Sequence, residues 1–128
     1  MDWMDSVSTS LLNKDLDGLW ERQKAISDNI ANYETPGYKT KSVSFEDQFS
    51  SQLADTGNST RSGLISGIDS ISPVTSTADG DTYRADGNGV NLEQQNIDLA
   101  RTEINYFYSL QEISDSFTRL SKAVNGGK

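Results

Sequence analysis

Two segments, one at each end of the chain, carry apolar residues at alternating steps of three and four. In the first segment, the positions with this spacing are Leu12, Leu16, Leu19, Gln23, Ile26, Ile30 and Tyr33. Such heptad spacing predicts an amphipathic helix with a seam for a second helix. Gly18 lies inside this helix and lowers its stability by roughly 1 kcal/mol relative to alanine.

The first helix is predicted to end at a proline turn. Pro36 disfavours helical geometry for Thr35 and has no backbone N–H group to donate. The four residues from Thr35 to Tyr38 therefore predict a type II turn, with Gly37 at the position that requires a positive φ. Two asparagines near this helix end, Asn29 and Asn32, are expected to hydrogen-bond to loop or neighbouring backbone.

The last segment has clear start and stop signals for a second long helix. Asn91 is a favourable N-cap, with Glu93 in the first turn and Gln94 three residues after the cap, and the pair Asn125-Gly126 ends the helix. The apolar residues that keep heptad spacing are Leu99, Tyr106, Leu110, Ile113, Phe117, Leu120 and Val124, and Glu103 fills the remaining place. A second apolar edge lies beside this seam and consists of Ile97, Ala100, Ile104 and Phe107.

The apolar stripe of the last helix is wider than one partner helix can cover. Pairing of the two terminal helices would bury one seam on each and leave the second edge in water, together with Leu11 and Trp20. Large exposed apolar patches usually mark interaction surfaces. We therefore predict packing against other copies or partner helices. The alternative is a helical hairpin whose extra apolar residues contact the middle of the chain.

The middle of the chain differs from both ends. Phe45, Phe49 and Leu53 lie at four-residue spacing and predict a short helix of about two turns. The run 54–89 is then rich in Ser, Thr, Gly, Asp and Asn, which predicts a loop with short strand fragments, partly disordered in isolation. Its few apolar residues fit neither a helical nor an alternating pattern, and they are Leu64, Ile65, Ile68, Ile71 and Val74.

These patterns predict a mainly α fold in which long N- and C-terminal amphipathic helices pair as a coiled coil. The segments are 1–41, the first helix and its turn; 42–90, the short helix and an acidic outer segment; and 91–128, the last helix. The two ends are expected to form one structural domain. Near the turn, Lys39 and Lys41 form a positive cluster that is either solvated or paired with a carboxylate on a neighbouring molecule.

Composition and charge exclude several classes of function. Among 128 residues there is no cysteine and no histidine, and the net charge is −8. Thiol nucleophiles, histidine bases and the thiolate and imidazole metal ligands are therefore missing, as is the basic footprint of a nucleic-acid binder. We expect no enzyme activity, no cofactor or metal, no small-molecule substrate and no nucleic-acid partner. The acidic turns near Asp79 and Asp86 do not have the spacing of an EF-hand calcium loop.

The low hydrophobic content of the chain limits how compactly it can fold on its own. Only 34% of the residues are hydrophobic, so part of the chain must be thinly packed or must bury its surface against other subunits. No apolar run approaches the roughly 18 residues that a membrane span needs. The acidic start from Met1 to Asp5 lacks the features of a classical secretory signal.

The run from Asn29 to Lys39, NIANYETPGYK, resembles the N-terminal signature of bacterial flagellar rod and hook axial proteins. The preceding residues 22–28 fit the same pattern. Two further runs, VSFED at 43–47 and DGNGVNLE at 86–93, are most similar to the B-type proximal subunits of the flagellar basal-body rod protein family. The signature and turn residues that carry the resemblance are Asn29, Ile30, Ala31, Asn32, Thr35, Pro36, Gly37 and Tyr38.

The resemblance implies a structural protein of the basal body that is exported unfolded through the flagellar type III apparatus. Such subunits polymerise into the rod, the drive shaft that carries torque from the motor ring to the hook. The implied partners are further copies of the chain, other rod subunits, the export apparatus and motor-ring junction proteins. The terminal helices would supply an inner coiled-coil layer, with the middle facing outward. The alternative interpretation is a small secreted helical-hairpin binding protein.

Overall fold

A computed structural model of the chain describes residues 2–54, 59–80 and 82–126. It contains four helices and two strands in this part of the chain. In chain order they are α1 (Asp2–Ala31), β1 (Lys41–Ser44), α2 (Glu46–Ala54), α3 (Arg61–Asp69), β2 (Val74–Thr77) and α4 (Leu92–Val124). The mainly α fold with two long terminal helices is confirmed.

The helices α1 and α4 run antiparallel and make the most extensive contact between elements. At 1.5 Å per residue they are about 45 and 50 Å long. Two side-chain hydrogen bonds fix their direction, because one joins the end of α1 to the start of α4 (Asn29 to Gln95) and the other joins Asp15 to Ser109. On α1 the predicted seam faces inward, with Leu19 and Ile26 buried and its other members half-buried.

Both predicted helix boundaries are confirmed by local geometry. After α1, the backbone N–H of Tyr38 donates to the carbonyl of Thr35 over 3.3 Å, and Gly37 has a φ of 69°. At the start of α4, the side chain of Asn91 accepts the backbone N–H of Gln94 over 3.2 Å. These signals act within a few residues, so sequence alone is enough to locate them.

The buried face of α4 differs from the predicted one. The predicted seam residues Leu99, Tyr106 and Ile113 are half-buried, but the buried line beside them is Gln95, Thr102 and Ser109. The other predicted members, Leu110, Phe117, Leu120 and Val124, are exposed, with Phe117 at 60% and Val124 at 79%. The reason is that Asn29 and Asp15 on α1 satisfy Gln95 and Ser109, while Thr102 bonds within α4, which leaves the apolar flank facing outward.

The small core lies where β1 and the start of α2 cross α1. Leu19, Ala25, Val43 and Phe45 form it, with Phe49 and Tyr106 packed against it. The ring of Phe45 lies directly against the backbone of α1 at Gly18, where an added Cβ would come within 2.6 Å of three ring atoms. The glycine that weakens the helix is therefore the position that lets Phe45 enter the core.

The middle of the chain is more ordered than the sequence indicates. The predicted short helix is α2, and of the two strands only β2 lies in the run 54–89 where strand fragments are predicted. Its partner β1 precedes that run, and the two pair antiparallel from Lys41↔Thr77 to Ser44↔Val74. The helix α3 was not predicted, because Gly63 and Gly67 dilute its apolar spacing. It packs on α1, with Ile68 and the following Ile71 buried.

Candidate functional site

The signature residues surround a buried asparagine at the end of α1. Asn29 has no exposed surface. Its side-chain amide N–H group donates to the carbonyl of Lys41 over 2.8 Å and to Gln95 Oε1 over 2.9 Å. Its Oδ1 accepts the backbone N–H of Lys41 over 2.9 Å and the hydroxyl of Tyr38 over 3.1 Å. One side chain therefore joins α1, the turn, β1 and α4. The bonds to the backbone of Lys41 are the expected hydrogen bonds of Asn29 to neighbouring backbone.

A second buried asparagine fixes the segment that enters α4. The side-chain amide of Asn88 donates to the carbonyls of Asn32 and Thr35 over 2.9 and 2.7 Å, and its Oδ1 accepts the backbone N–H of Val90 over 2.8 Å. Asn32 also bonds locally, to the carbonyl of Asp28 over 2.8 Å. The sequence around Asn88 predicts only a turn and not these hydrogen bonds. The family resemblance of residues 86–93 is the one signal in the sequence that points to this segment.

The backbone completes this junction. The N–H group of Gly37 donates to the carbonyl of Asp86 over 3.1 Å, and that of Gly89 donates to the carbonyl of Tyr38 over 2.9 Å. The Cα of Gly37 is 3.7 Å from the position of a Cβ on Gly87. The turn and the loop before α4 therefore pack closely, while Ala31 and Pro36 of the signature remain exposed.

Charged side chains around the junction are paired within the chain. Lys39 Nζ lies 2.6 Å from Asp79, and Lys41 Nζ lies 3.2 Å from Asp28. Both lysines therefore meet carboxylates of their own chain. Burial raises the pKa of the Tyr38 hydroxyl, an effect that Lys41 opposes and Asp28 reinforces.

Arg22 ties β1 and α2 to α1. It donates to the carbonyl of Val43 over 2.9 Å, pairs with Glu46 at 2.6 Å and covers the ring of Phe45 at 4.8 Å. Partial burial acts to raise the pKa of Glu46. Hydrogen bonds from Arg22 and the backbone outweigh that effect, so the pKa of Glu46 lies below its usual value.

Exposed apolar side chains recur along α4 from Ile97 to Val124. We define an outer strip near the start of α4, made of Ile97, Ile104, Phe107 and Tyr108, and a C-terminal strip made of Leu110, Phe117, Leu120 and Val124. All eight side chains are exposed, Phe107 at 65%. By contrast, every buried side-chain polar atom among the described residues has a hydrogen-bond partner.

The described ranges contain no cluster of three or more residues that could hold a metal ion. In the same ranges, no helix combines the length and the apolar character that a membrane crossing requires. The main features of this part of the chain are thus a closed polar junction and an exposed apolar face on α4. Such features are typical of structural and interaction proteins, since large exposed apolar patches usually mark interaction surfaces.

The comparisons with known proteins agree with this class. Residues 21–39 match the family described as flagella basal body rod protein. The chain is 38% identical to the flagellar basal body rod protein FlgB of Bacillus subtilis (strain 168), over 84% of each chain. It is 30% identical to the protein of the same name from Aeromonas hydrophila, over 83% of each chain.

The chain therefore belongs to the flagellar basal-body rod protein family, and within it to the B type. Its relatives are rod proteins of the flagellar basal body. The matched range 21–39 covers the last part of α1, the signature and the proline turn, and includes Asn29 and its partner Tyr38.

Proposed function

We propose that this protein polymerises through its terminal helices into the proximal rod, the drive shaft that transmits torque from the motor to the hook. The observation that carries the proposal is the exposed apolar face of α4. Burying a large apolar side chain contributes about 1.5–3 kcal/mol, and eight such side chains lie exposed on this one helix. That surface is far larger than a solitary helical hairpin needs to expose.

The contact between copies is proposed to be heterologous, meaning that two different surfaces of each copy meet. Contacts of this kind build open helical assemblies when the rotation does not close. The predicted assembly seam includes residues on both helices. Its members that face outward, the C-terminal strip of α4, are the ones we assign to contacts between copies and with other rod subunits.

The inner layer of this assembly is proposed to be the antiparallel pair of α1 and α4. One domain formed by 1–41 and 91–128, with 42–90 facing outward, is supported by the contact between the two helices. We further propose that the chain reaches the basal body through the flagellar export apparatus, without a cleaved signal peptide, and there meets motor-ring junction proteins. The small core supports this, since a thinly packed chain is easy to unfold.

The test is complementation of cells that lack the gene. Phe117→Ala together with Leu120→Ala should leave the subunit folded and exported, because both side chains are exposed in the isolated chain. It should block rod formation, which gives non-motile cells that secrete the subunit. Electron microscopy of basal bodies and measurement of secreted protein provide the readouts.

Glu112→Ala is the matched control, because Glu112 lies on the same helix, outside the C-terminal strip, and forms an ion pair with exposed Arg119 at 3.4 Å. These cells should swim normally. Normal basal bodies in the double variant would refute the assignment of the C-terminal strip. Light scattering at rising protein concentration distinguishes the rod subunit from the alternative, a small secreted hairpin binding protein. The rod subunit should associate, whereas the hairpin protein would stay monomeric.

A further inference from the structure

Polar side chains face each other across the α1–α4 interface at seven-residue steps. On α1 they are Asp15, Arg22 and Asn29, and on α4 they are Gln95, Thr102 and Ser109. All three α4 members are buried, as is Asn29. An interface between two amphipathic helices ordinarily fills these positions with apolar residues, so the arrangement needs a physical reason.

Two pairs in this set bond directly across the interface. Asn29 donates to Gln95 Oε1 over 2.9 Å in a fully buried contact, and the hydroxyl of Ser109 donates to the carboxylate of Asp15. The two bonds are separated by two heptads on each helix. Between them, Arg22 and Thr102 line the same cleft of about 290 Å³, while the hydroxyl of Thr102 donates within α4 to the carbonyl of Asp98 over 2.7 Å.

We propose that this polar ladder, Asp15 and Asn29 with Gln95 and Ser109, is a specificity determinant that reserves one face of α4 for α1, in the antiparallel register, and excludes apolar helix faces. A slip of three or four residues would set Gln95 or Ser109 against apolar residues of α1, namely Leu12, Leu19 or Ile26, and leave them buried without partners, which is costly. A slip of a full heptad is resisted at the junction beside Asn29, where Asn88 ties the loop before α4 to Asn32 and Thr35.

The ladder also acts against pairing with the apolar faces of other copies. An apolar helix face from a second chain that replaced α1 on this surface would bury Gln95 and Ser109 without hydrogen-bond partners. The apolar strips of α4 carry no such penalty. The two sides of the helix are thereby divided, one polar and specific for α1, the other apolar and open to neighbours. This inference concerns pairing within one chain and does not depend on the proposed rod function.

The test uses cross-linking, for which the chain is suited because it contains no cysteine. Thr9 and Ser116 line one small cavity between α1 and α4, so Thr9→Cys with Ser116→Cys reports the native pairing. With a short bis-maleimide and dilute purified protein, this parent should give almost only cross-links within one chain. The ladder variant adds Asp15→Leu, Gln95→Leu and Ser109→Ala to it.

The ladder variant should keep its helical circular dichroism but show cross-links between chains increased about fivefold or more, the ratio that corresponds to one lost hydrogen-bond preference. The matched control places the same changes at exposed positions, as Asp17→Leu, Asn96→Leu and Ser114→Ala. It should behave like the parent. An equal rise in the control would overturn the proposal, because surface hydrophobicity would then be the cause.

A second set of variants, which exchanges the two members of one hydrogen-bonded pair, tests the proposal if the ladder variant fails to fold. Asp15→Ser alone and Ser109→Asp alone should each increase the cross-links between chains, and the combination, which restores a hydroxyl–carboxylate pair with its members exchanged, should return them to the parental level. If the combined variant is no better than the single ones, or if the single ones match the parent, the ladder does not determine pairing.

Discussion

Replacement of Gly18 by alanine gives opposite expectations from the sequence and from the structure. In an exposed helix this change is stabilising by about 1 kcal/mol. Here the new Cβ would lie 2.5–2.6 Å from three atoms of the Phe45 ring, whereas carbon atoms in contact lie roughly 3.5–4.0 Å apart. The ring cannot easily move, because Arg22 covers it at 4.8 Å and Phe49 meets it edge-on at 5.7 Å.

We expect Gly18→Ala to destabilise the protein. Overpacking of a filled core costs about 1–3 kcal/mol, and the close approach to three ring atoms places this site in the upper half of that range, about 2–3 kcal/mol. After subtraction of the gain of about 1 kcal/mol in helix propensity, the net loss should be about 1–2 kcal/mol. The assay is urea unfolding followed by circular dichroism at one fixed protein concentration. Gly63→Ala in α3 is the control, since its Cβ would meet only Thr60 Oγ1, at 3.4 Å, and it should be neutral or stabilising.

A double-mutant cycle tests the cause. Once Phe45→Ala has removed the ring, Gly18→Ala should become stabilising, a change of sign that only a steric conflict between these two residues produces. If Gly18→Ala raises the urea midpoint in the natural chain, or lowers it equally in both backgrounds, the reasoning from the close contact is refuted.

Three further predictions concern the junction and α4. Asn88→Ala should destabilise the chain by about 1–3 kcal/mol in urea unfolding, because the carbonyls of Asn32 and Thr35 lose a buried donor; an unchanged midpoint would contradict this. The pKa of Glu46 lies below its usual value of 4.5, so its ion pair with Arg22 stabilises the folded protein at neutral pH. This stabilisation is lost as the pH falls from about 4.5 through the lowered pKa of Glu46 in the folded state. Glu46→Gln should therefore lower the thermal midpoint at pH 7 and flatten its acid dependence, and an unaltered pH profile would count against it. The helical content measured by circular dichroism at 222 nm should rise with protein concentration, because the apolar strips of α4 pack against other copies. A signal that stays constant over the whole concentration range would contradict this.

Local sequence determined the elements whose causes lie within a few residues. The end of α1 follows from Pro36, the turn from the positive φ of Gly37, and the start of α4 from the side chain of Asn91. Heptad spacing likewise predicted two long amphipathic helices and the inward face of α1. The sequence identifies the signature asparagine Asn29 as a hydrogen-bonding residue, although not its three partner residues, Tyr38, Lys41 and Gln95.

Tertiary structure alone decided which face of α4 is buried. Apolar spacing shows that Leu110, Phe117 and Val124 require cover, but it does not say which molecule covers them. Gln95 and Ser109 are buried instead, because Asn29 and Asp15 on a distant part of the chain satisfy their hydrogen bonds.

The same reason explains the other differences. Gly18 weakens a helix when only its neighbours in sequence are considered, and it becomes necessary once Phe45 packs against it. The apolar residues of α3 gain their cover from α1, although two glycines weaken the local helical signal. In each case the free energy depends on a partner far away along the chain, which only the folded arrangement identifies.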